Sequence, residues 1–506
     1  MIDEAAPGIK EFFKGRDIFI TGGSGFMGKV LIEKLLRSCP DLNRIFILIR
    51  AKKNKTPEQR LEELGKIRVF DRLHQEYPNH FSKLCAINGD CTMKGLGISD
   101  EDLRRIGNVS VIFHTAACVR FDDSLKNAIL LNTRGTVEVM RLAEKLKQIR
   151  VVLHVSTTYC NPDKKVVEEM LYPPNGDWKM AIKIAEKHDE ETLNALTEKF
   201  TNAEPNTYTF TKGLAEQAVK DFSNRLPVVI YRPSIVVSSL DEPMPGWIDN
   251  FNGPTGLLLA CGLGLLRTTY GDPDVVSDFT PVDTSIKAMI VAAWKRAVES
   301  EPPESVPVYN CSTSIQRKFT TGFIVEMGRK LAPDVPIDKM IWLPGGSITK
   351  CRYNNFIRFV LFQLFTAFFI DFVFKLMGQR QFVTKLQRRI YGANLALHYF
   401  ITTHWVFKNA KFLALNDIIK PEDINDFRFD RFVTGDIRKY FIACMYGARR
   451  YLLNEKDENL PRARRNYKRF EFVHYTLVTV WYIFLFYMIF IKYNIIGQIW
   501  EWLQFK

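Results

Sequence analysis

A chain of 506 residues, 46% of them hydrophobic, can bury a large core and is long enough for more than one domain, which excludes a disordered or low-complexity protein. Its 70 Lys plus Arg against 56 Asp plus Glu give a formal charge of +14, which suits nucleic acid, an anionic membrane surface or a phosphate-rich ligand without choosing among them. The nine cysteines form no Cys-x-x-Cys pair and no ligand-like spacing with the eight histidines, so neither a disulfide framework nor a metal site is indicated, and a reducing, cytosol-facing catalytic part is expected.

Residues 1–10 carry two acids and no long apolar core, which is not a secretory signal. The apolar run Asp17–Ile20 is followed by Thr21-Gly-Gly-Ser-Gly-Phe-Met-Gly28 and then by Val30–Leu36, which has helical periodicity. A strand that ends in glycines and opens into a helix brings backbone N–H groups and the positive helix end to a pyrophosphate. A second strand, Arg44–Ile49, follows at the distance one helix requires, so the segment reads as a βαβ unit that binds a dinucleotide through Thr21, Gly22, Ser24, Gly25, Phe26, Met27 and Gly28. Arg50, Lys52 and Lys53 close the second strand, with no carboxylate until Glu58. Cations there accommodate a ribose 2′-phosphate, so NADPH is expected, with Arg50 the leading residue and Lys53 beside it.

Further apolar runs suited to buried parallel strands lie at Leu84–Asn88, Val109–Phe113, Val151–Val155 and Leu226–Tyr231, separated by helical patterns such as Asn132–Leu146 and Tyr208–Phe222. The alternation predicts a doubly wound, Rossmann-type parallel sheet. Asp90 after the third strand is placed to accept from the adenine amino group, Ala116 and Ala117 after the fourth to line the nicotinamide side, and Asn132 to orient a water or Lys212. Ser156, Thr157 and Thr158 follow the fifth strand at its carboxyl end, where ligands bind in such sheets. Thr157 is preferred and Ser156 comes next, although the sequence does not decide which hydroxyl points inward. In Tyr208-Thr-Phe-Thr-Lys212 the two end residues share a helix face, so the Lys212 ammonium is expected to favour the ionised phenol and make Tyr208 a proton donor to a carbonyl oxygen. His114 and His154, inside apolar strand ends, read as satisfied core histidines.

Gly- and Pro-rich sequence at 243–256 suits the substrate side of such a sheet, and from about Cys351 the composition turns aromatic and basic. Phe356–Phe374 contains Arg358, Gln363 and Asp371, and a buried, re-entrant or interfacial helix is expected there in preference to a membrane crossing. Phe472–Ile491 is uncharged and long enough for one crossing. Arg462, Arg464, Arg465, Lys468 and Arg469 crowd its N-terminal side, which puts the large N-terminal part in the cytosol and a short tail across the membrane. The expected division is a reductase domain over 1–350, a helical domain over 351–455, a basic linker over 456–471, the transmembrane helix 472–491 and the tail 492–506.

The turn Thr21–Gly28, the Tyr208–Lys212 pair and the strand order between them resemble the extended short-chain dehydrogenase/reductase family. More narrowly, the chain resembles a eukaryotic, insect-type fatty acyl-CoA reductase. That likeness rests on Phe12-Phe-Lys-Gly15, Ile47-Leu-Ile-Arg-Ala-Lys-Lys53, His154–Asn161, Tyr231-Arg-Pro-Ser234, Pro245–Asn250 and Asp278–Asp283. The C-terminal part, from Phe356 to Leu453, resembles that family's helical male-sterility domain. The family turn usually carries Thr and Leu where this chain has Ser24 and Met27, and an aromatic is common at Ile437. The resemblance implies NADPH-dependent reduction of a long-chain fatty acyl-CoA to a primary alcohol, through an aldehyde and with release of CoA. It also implies membrane lipid as a neighbour, an endoplasmic reticulum or peroxisomal location, and no nucleic-acid partner; a homo-oligomer is left open. A membrane-bound sterol or sugar-nucleotide oxidoreductase explains the first half equally but gives the segment after Cys351 no role, and the presence of both Tyr208 and Lys212 counts against an idle scaffold.

Overall fold

The computed structural model of the protein describes residues 6–492 and 501, apart from positions 53, 122, 174, 202, 203 and 302. Seven strands, β1 (Asp17–Thr21), β2 (Arg44–Ile49), β3 (Leu84–Asn88), β4 (Val109–His114), β5 (Val151–Val155), β6 (Val228–Pro233) and β7 (Val308–Cys311), form one sheet in the order β7-β6-β5-β4-β1-β2-β3. Every pairing in it is parallel.

Successive strand side chains point to opposite faces, so a sheet covered on both sides needs continuous apolar runs. Ile18 and Ile20 pack in one layer with Ile45, Ile47, Phe113 and Leu153, whereas Phe19 enters the other layer with Phe46, Ile112 and Val152. Helices α1 (Phe26–Ser38) and α4 (Val282–Val298) cover the first face. Helices α2 (Gly135–Lys145) and α3 (Thr207–Phe222) cover the second. This is the doubly wound architecture the alternation predicts, with the order reversing between β1 and β4, where the carboxyl ends open a ligand crevice. The seventh strand escapes sequence reading because it spans four residues and includes a polar Asn310.

The chain folds into two compact units. One takes the described residues within Met1–Gly253, Asp272–Ile324 and Leu395–Leu452; the other takes those within Pro254–Gly271, Val325–Asn394 and Leu453–Lys506. Both draw on chain from either side of position 351, because short pairings tie distant segments together. In the first unit Val406–Phe407 pairs with Val166–Val167. In the second, Ser347–Thr349 pairs with Thr268–Tyr270, and Asn355 donates to Thr268 Oγ1 at 3.0 Å.

In the second unit a helix runs from Arg352 to Phe359 and continues through a wider turn, Val360–Leu364, into Phe365–Leu376. Asp371 on it accepts from the N–H groups of Phe382, Val383 and Thr384 at 3.0, 3.0 and 2.8 Å, capping the next helix. Of the buried, re-entrant or interfacial helix expected at Phe356–Phe374, the buried alternative is corrected: Phe356, Phe362, Phe365 and Phe369 are 54, 60, 70 and 61% exposed. Apolar periodicity says that a face needs cover, not what supplies it. The basic stretch expected as a linker and the apolar run beyond it belong to one helix, Leu460–Phe486. Arg352–Leu376 and Asp457–Phe490 are the two stretches among the described residues long and apolar enough to cross a membrane by length and composition. The tail beyond Lys492 lies outside the described residues, except for Glu501.

Candidate active site

Thr21 ends β1 and donates the chain to a turn in which Gly22 adopts φ +76°. A Cβ on Gly22 would stand 2.7 Å from the Ala116 nitrogen, and one on Gly28 would stand 2.2 Å from the Gly22 carbonyl oxygen, closer than real Cβ atoms approach. The glycines therefore let the turn fold onto itself and onto the chain leaving β4. Gly25 is the N-cap of α1, and the first N–H groups of that helix have no carbonyl partner within it. Ser24 and Gly25 are exposed above it, Phe26 and Met27 half-buried. Ala116 faces the turn, its N–H 3.4 Å from Thr21 Oγ1, and Ala117 follows half-buried.

Beside the turn, a cavity of about 600 Å³ is lined by Ser24, Ile49, Lys52, Asn54, Lys55 and Arg60, among others. Arg50 is 67% exposed and pairs with Asp90 at 3.3 Å. Asp90 also accepts from the Thr92 N–H and hydroxyl at 2.9 and 2.8 Å, so its carboxylate closes a local turn as well as meeting Arg50. Lys53 lies outside the described residues. Arg60, which donates to the Arg50 carbonyl and lines the cavity, has no counterpart among the residues read from sequence. It sits inside a helix, Pro57–Gly65, with a Thr56–Gln59 capping box, and reads there as part of a solvated face.

At the carboxyl end of β5 the structure separates the three hydroxyls. The Thr157 hydroxyl lies beside the Tyr208 phenol, near enough to oppose the rise of its pKa. Ser156 turns instead toward Glu216 and Cys160 and makes no hydrogen bond of good geometry, and Thr158 Oγ1 is buried without a partner. Thr157 is thus the neighbour of Tyr208, and Ser156 that of Glu216 and Cys160. Asn206 caps α3 by accepting from Thr209 at 2.9 Å, which starts the helix one residue before Tyr208.

Lys212 does not act on the phenol as the helical spacing suggests. Its ammonium donates to the Val155 carbonyl at 2.7 Å, tying α3 to the end of β5. Burial pushes the Tyr208 phenol up from its ordinary value, with the neighbouring Thr157 hydroxyl opposing. Burial likewise pushes the Lys212 amine down to about 8, opposed by Glu216 and Cys160. Desolvation of charge outweighs the pairing, and the phenol is held protonated, as a proton donor must be.

Asn132 lies in a widened turn, Ile129–Arg134, where its side chain accepts from the Cys118 N–H at 2.9 Å and donates to Thr211 Oγ1 at 3.0 Å. It fixes the loop after β4 against the residue next to Lys212. His114 bonds Thr21 Oγ1 at 2.7 Å and Thr136 Oγ1 at 3.0 Å, and burial lowers its pKa to about 3, so it is the satisfied core histidine expected. His154 is equally buried, but neither ring nitrogen finds a partner, which corrects the expectation of satisfaction there.

A glycine turn after β1 and, on α3, a buried tyrosine beside the chain that leaves β5 fit the framework of an NAD(P)-binding reductase. Residues 20–289 match the NAD-binding part of the family described as male sterility protein, and residues 362–455 match a second domain of the same description. Fatty acyl-CoA reductase 1 of Rattus norvegicus is 36% identical over 492 residues, covering 94% of this chain and 93% of its own. Fatty acyl-CoA reductase wat of Drosophila melanogaster is 35% identical, covering 93% and 90%. The fold of this chain is similar to that of the terminal R domain of the myxalamid biosynthetic pathway, with a TM-score of 0.57 at 17% identity, over 86% of this chain and 90% of that one. The chain belongs to the fatty acyl-CoA reductase family.

Proposed function

We propose that the chain reduces a long-chain fatty acyl-CoA to the primary alcohol with NADPH, through the aldehyde, and releases CoA. The observation that carries the reading is the Tyr208 phenol, kept protonated by burial and set beside the Thr157 hydroxyl that follows β5. NADPH, when bound, supplies the hydride. The cradle fits it: Gly22 and Gly28 leave no room for a side chain and the α1 N-terminus would hold the pyrophosphate, while Ser24, Lys52, Lys55 and Arg60, with Arg50 at their edge, would hold a 2′-phosphate. Ala116 and Ala117 present small side chains beside them.

The Thr157 and Tyr208 hydroxyls stabilise the oxyanion formed when the thioester carbon is reduced, and its collapse expels the CoA thiolate. Tyr208 then protonates the aldehyde oxygen as it becomes the alcohol. Lys212 keeps the distance between the two hydroxyls by holding Val155, and Asn132 braces the loop after β4. Helix Leu460–Phe486 anchors the chain in an endoplasmic reticulum or peroxisomal membrane, with Arg462, Arg464, Arg465, Lys468 and Arg469 keeping the catalytic unit on the cytosolic side.

The test is expression of the full chain in a yeast that makes no fatty alcohols, with chain-resolved lipid analysis. Wild type is expected to yield long-chain alcohols and Tyr208→Phe almost none. Equal output from both would remove Tyr208 from the chemistry, and no alcohol from wild type would defeat the acyl-CoA reading.

A further inference from the structure

A line of aromatic rings leads away from the catalytic tyrosine. Phe121 lies with its centroid 5.9 Å from Tyr208, Phe400 stacks on Phe121 at 5.1 Å, and Trp405 stacks on Phe400 at 5.9 Å. The interplanar angles along the line, 36°, 29° and 30°, keep the rings turned roughly the same way, so they form a wall and not a herringbone cluster. Tyr159, three residues after Ser156, closes the wall from behind with edge contacts of 5.4 Å to both Phe400 and Trp405.

The wall is fixed to the chain that follows β5. Trp405 Nε1 donates to the Pro162 carbonyl at 3.3 Å, and the next residues pair with the strand at Val166–Val167, the Val406 N–H donating to the Lys165 carbonyl at 2.9 Å. Phe400 and Trp405 come from the second matched domain, yet they fold in the same compact unit as Tyr208. Phe121, Phe400 and Trp405 are all only half-buried, so part of each ring faces open space. Rings left partly open beside an acid–base residue, in a rigid mount, suit an apolar substituent that continues from the reacting carbon.

We propose that Phe121, Phe400 and Trp405 are the wall along which the acyl chain lies, with Phe121 touching the methylenes next to the reacting carbonyl and Phe400 those beyond. Phe400 is thereby a specificity residue given to the site by the C-terminal half of the chain. This rests on the acyl-CoA reading above.

The test measures steady-state kinetics of the purified full chain with NADPH and hexadecanoyl-CoA, alongside NADPH affinity by quenching of protein fluorescence. Phe400→Ala is expected to raise KM for hexadecanoyl-CoA at least tenfold, with kcat and NADPH affinity within threefold of wild type, and Phe400→Leu to recover most of the loss. Phe121→Ala, which leaves the Trp405 mount intact, is expected to show the same split. KM within twofold of wild type in both alanine variants would overturn the proposal, as would parallel loss of NADPH binding in all three, which marks a purely structural cluster. A wild-type enzyme inactive on hexadecanoyl-CoA would instead defeat the reading on which it rests.

Discussion

Two sets of apolar side chains in this protein look alike in sequence and meet opposite surroundings. Ile18, Phe19 and Ile20 in β1 are fully buried, covered from both faces by helices, whereas Phe365 and Phe472 stand 70% and 74% exposed on theirs. The strand's burial is completed by the protein itself and contributes to its stability, at roughly 25 cal/mol for each Å² of apolar surface removed from water. The exposed helices leave that contribution unrealised in water, and the proposed membrane contact realises it. A reaction site belongs on the first kind of region, because a positioned acid needs neighbours that do not move; an anchor belongs on the second.

The widest gap between the two regions should come from the site itself. Tyr208→Phe is expected to lower the rate of alcohol formation by about 10²–10⁴ with membrane association unchanged, since it removes the positioned proton and nothing else. Single-turnover rates on vesicle-bound protein check it. Gly28→Ala places a Cβ where only 2.2 Å separates it from the Gly22 carbonyl, so NADPH affinity should fall at least about 100-fold, read by fluorescence titration. A milder break is expected from Arg60→Ala or Arg50→Ala, each lowering the preference for NADPH over NADH by roughly tenfold in kcat/KM, because one charged contact to a phosphate is lost.

On the other side of the comparison, Val480→Asp together with Ile483→Asp, on the anchoring helix, should reduce the fraction of protein that sediments with vesicles severalfold while kcat in detergent stays within twofold. A core helix would instead unfold. The smallest effect is a pH dependence. Burial lowers the Lys212 amine from 10.5 to about 8, so between those values the unfolded chain binds more protons than the folded one, and this group favours folding increasingly as pH rises through the window. Loss of that proton weakens the hold of Lys212 on the Val155 carbonyl, so the rate of alcohol formation should fall a few-fold from pH 7 to pH 9. A flat rate profile over that range would separate the Lys212 ammonium from the positioning of the site.

The parts of the structure legible in sequence are those set by neighbours along the chain. The Thr21–Gly28 turn, the first six strands and α3 follow from local glycine spacing and apolar runs. What sequence does not carry is direction and long-range company. Ser156 and Thr157 are adjacent, and only the twist at the end of β5 sends one toward Glu216 and the other to the phenol. The four-residue spacing of Tyr208 and Lys212 puts them on one helix face but says nothing of Val155, which takes the ammonium. Phe400 reaches Phe121 across a sequence separation no periodicity spans, and Arg60 is hidden by a well-capped helix.

The central claim is most directly tested by stoichiometry. Purified full chain given limiting hexadecanoyl-CoA and excess NADPH should oxidise two NADPH for each hexadecanol formed, with one free CoA thiol. Accumulation of the aldehyde at one NADPH each, equal turnover with NADH, or no oxidation at all would contradict it.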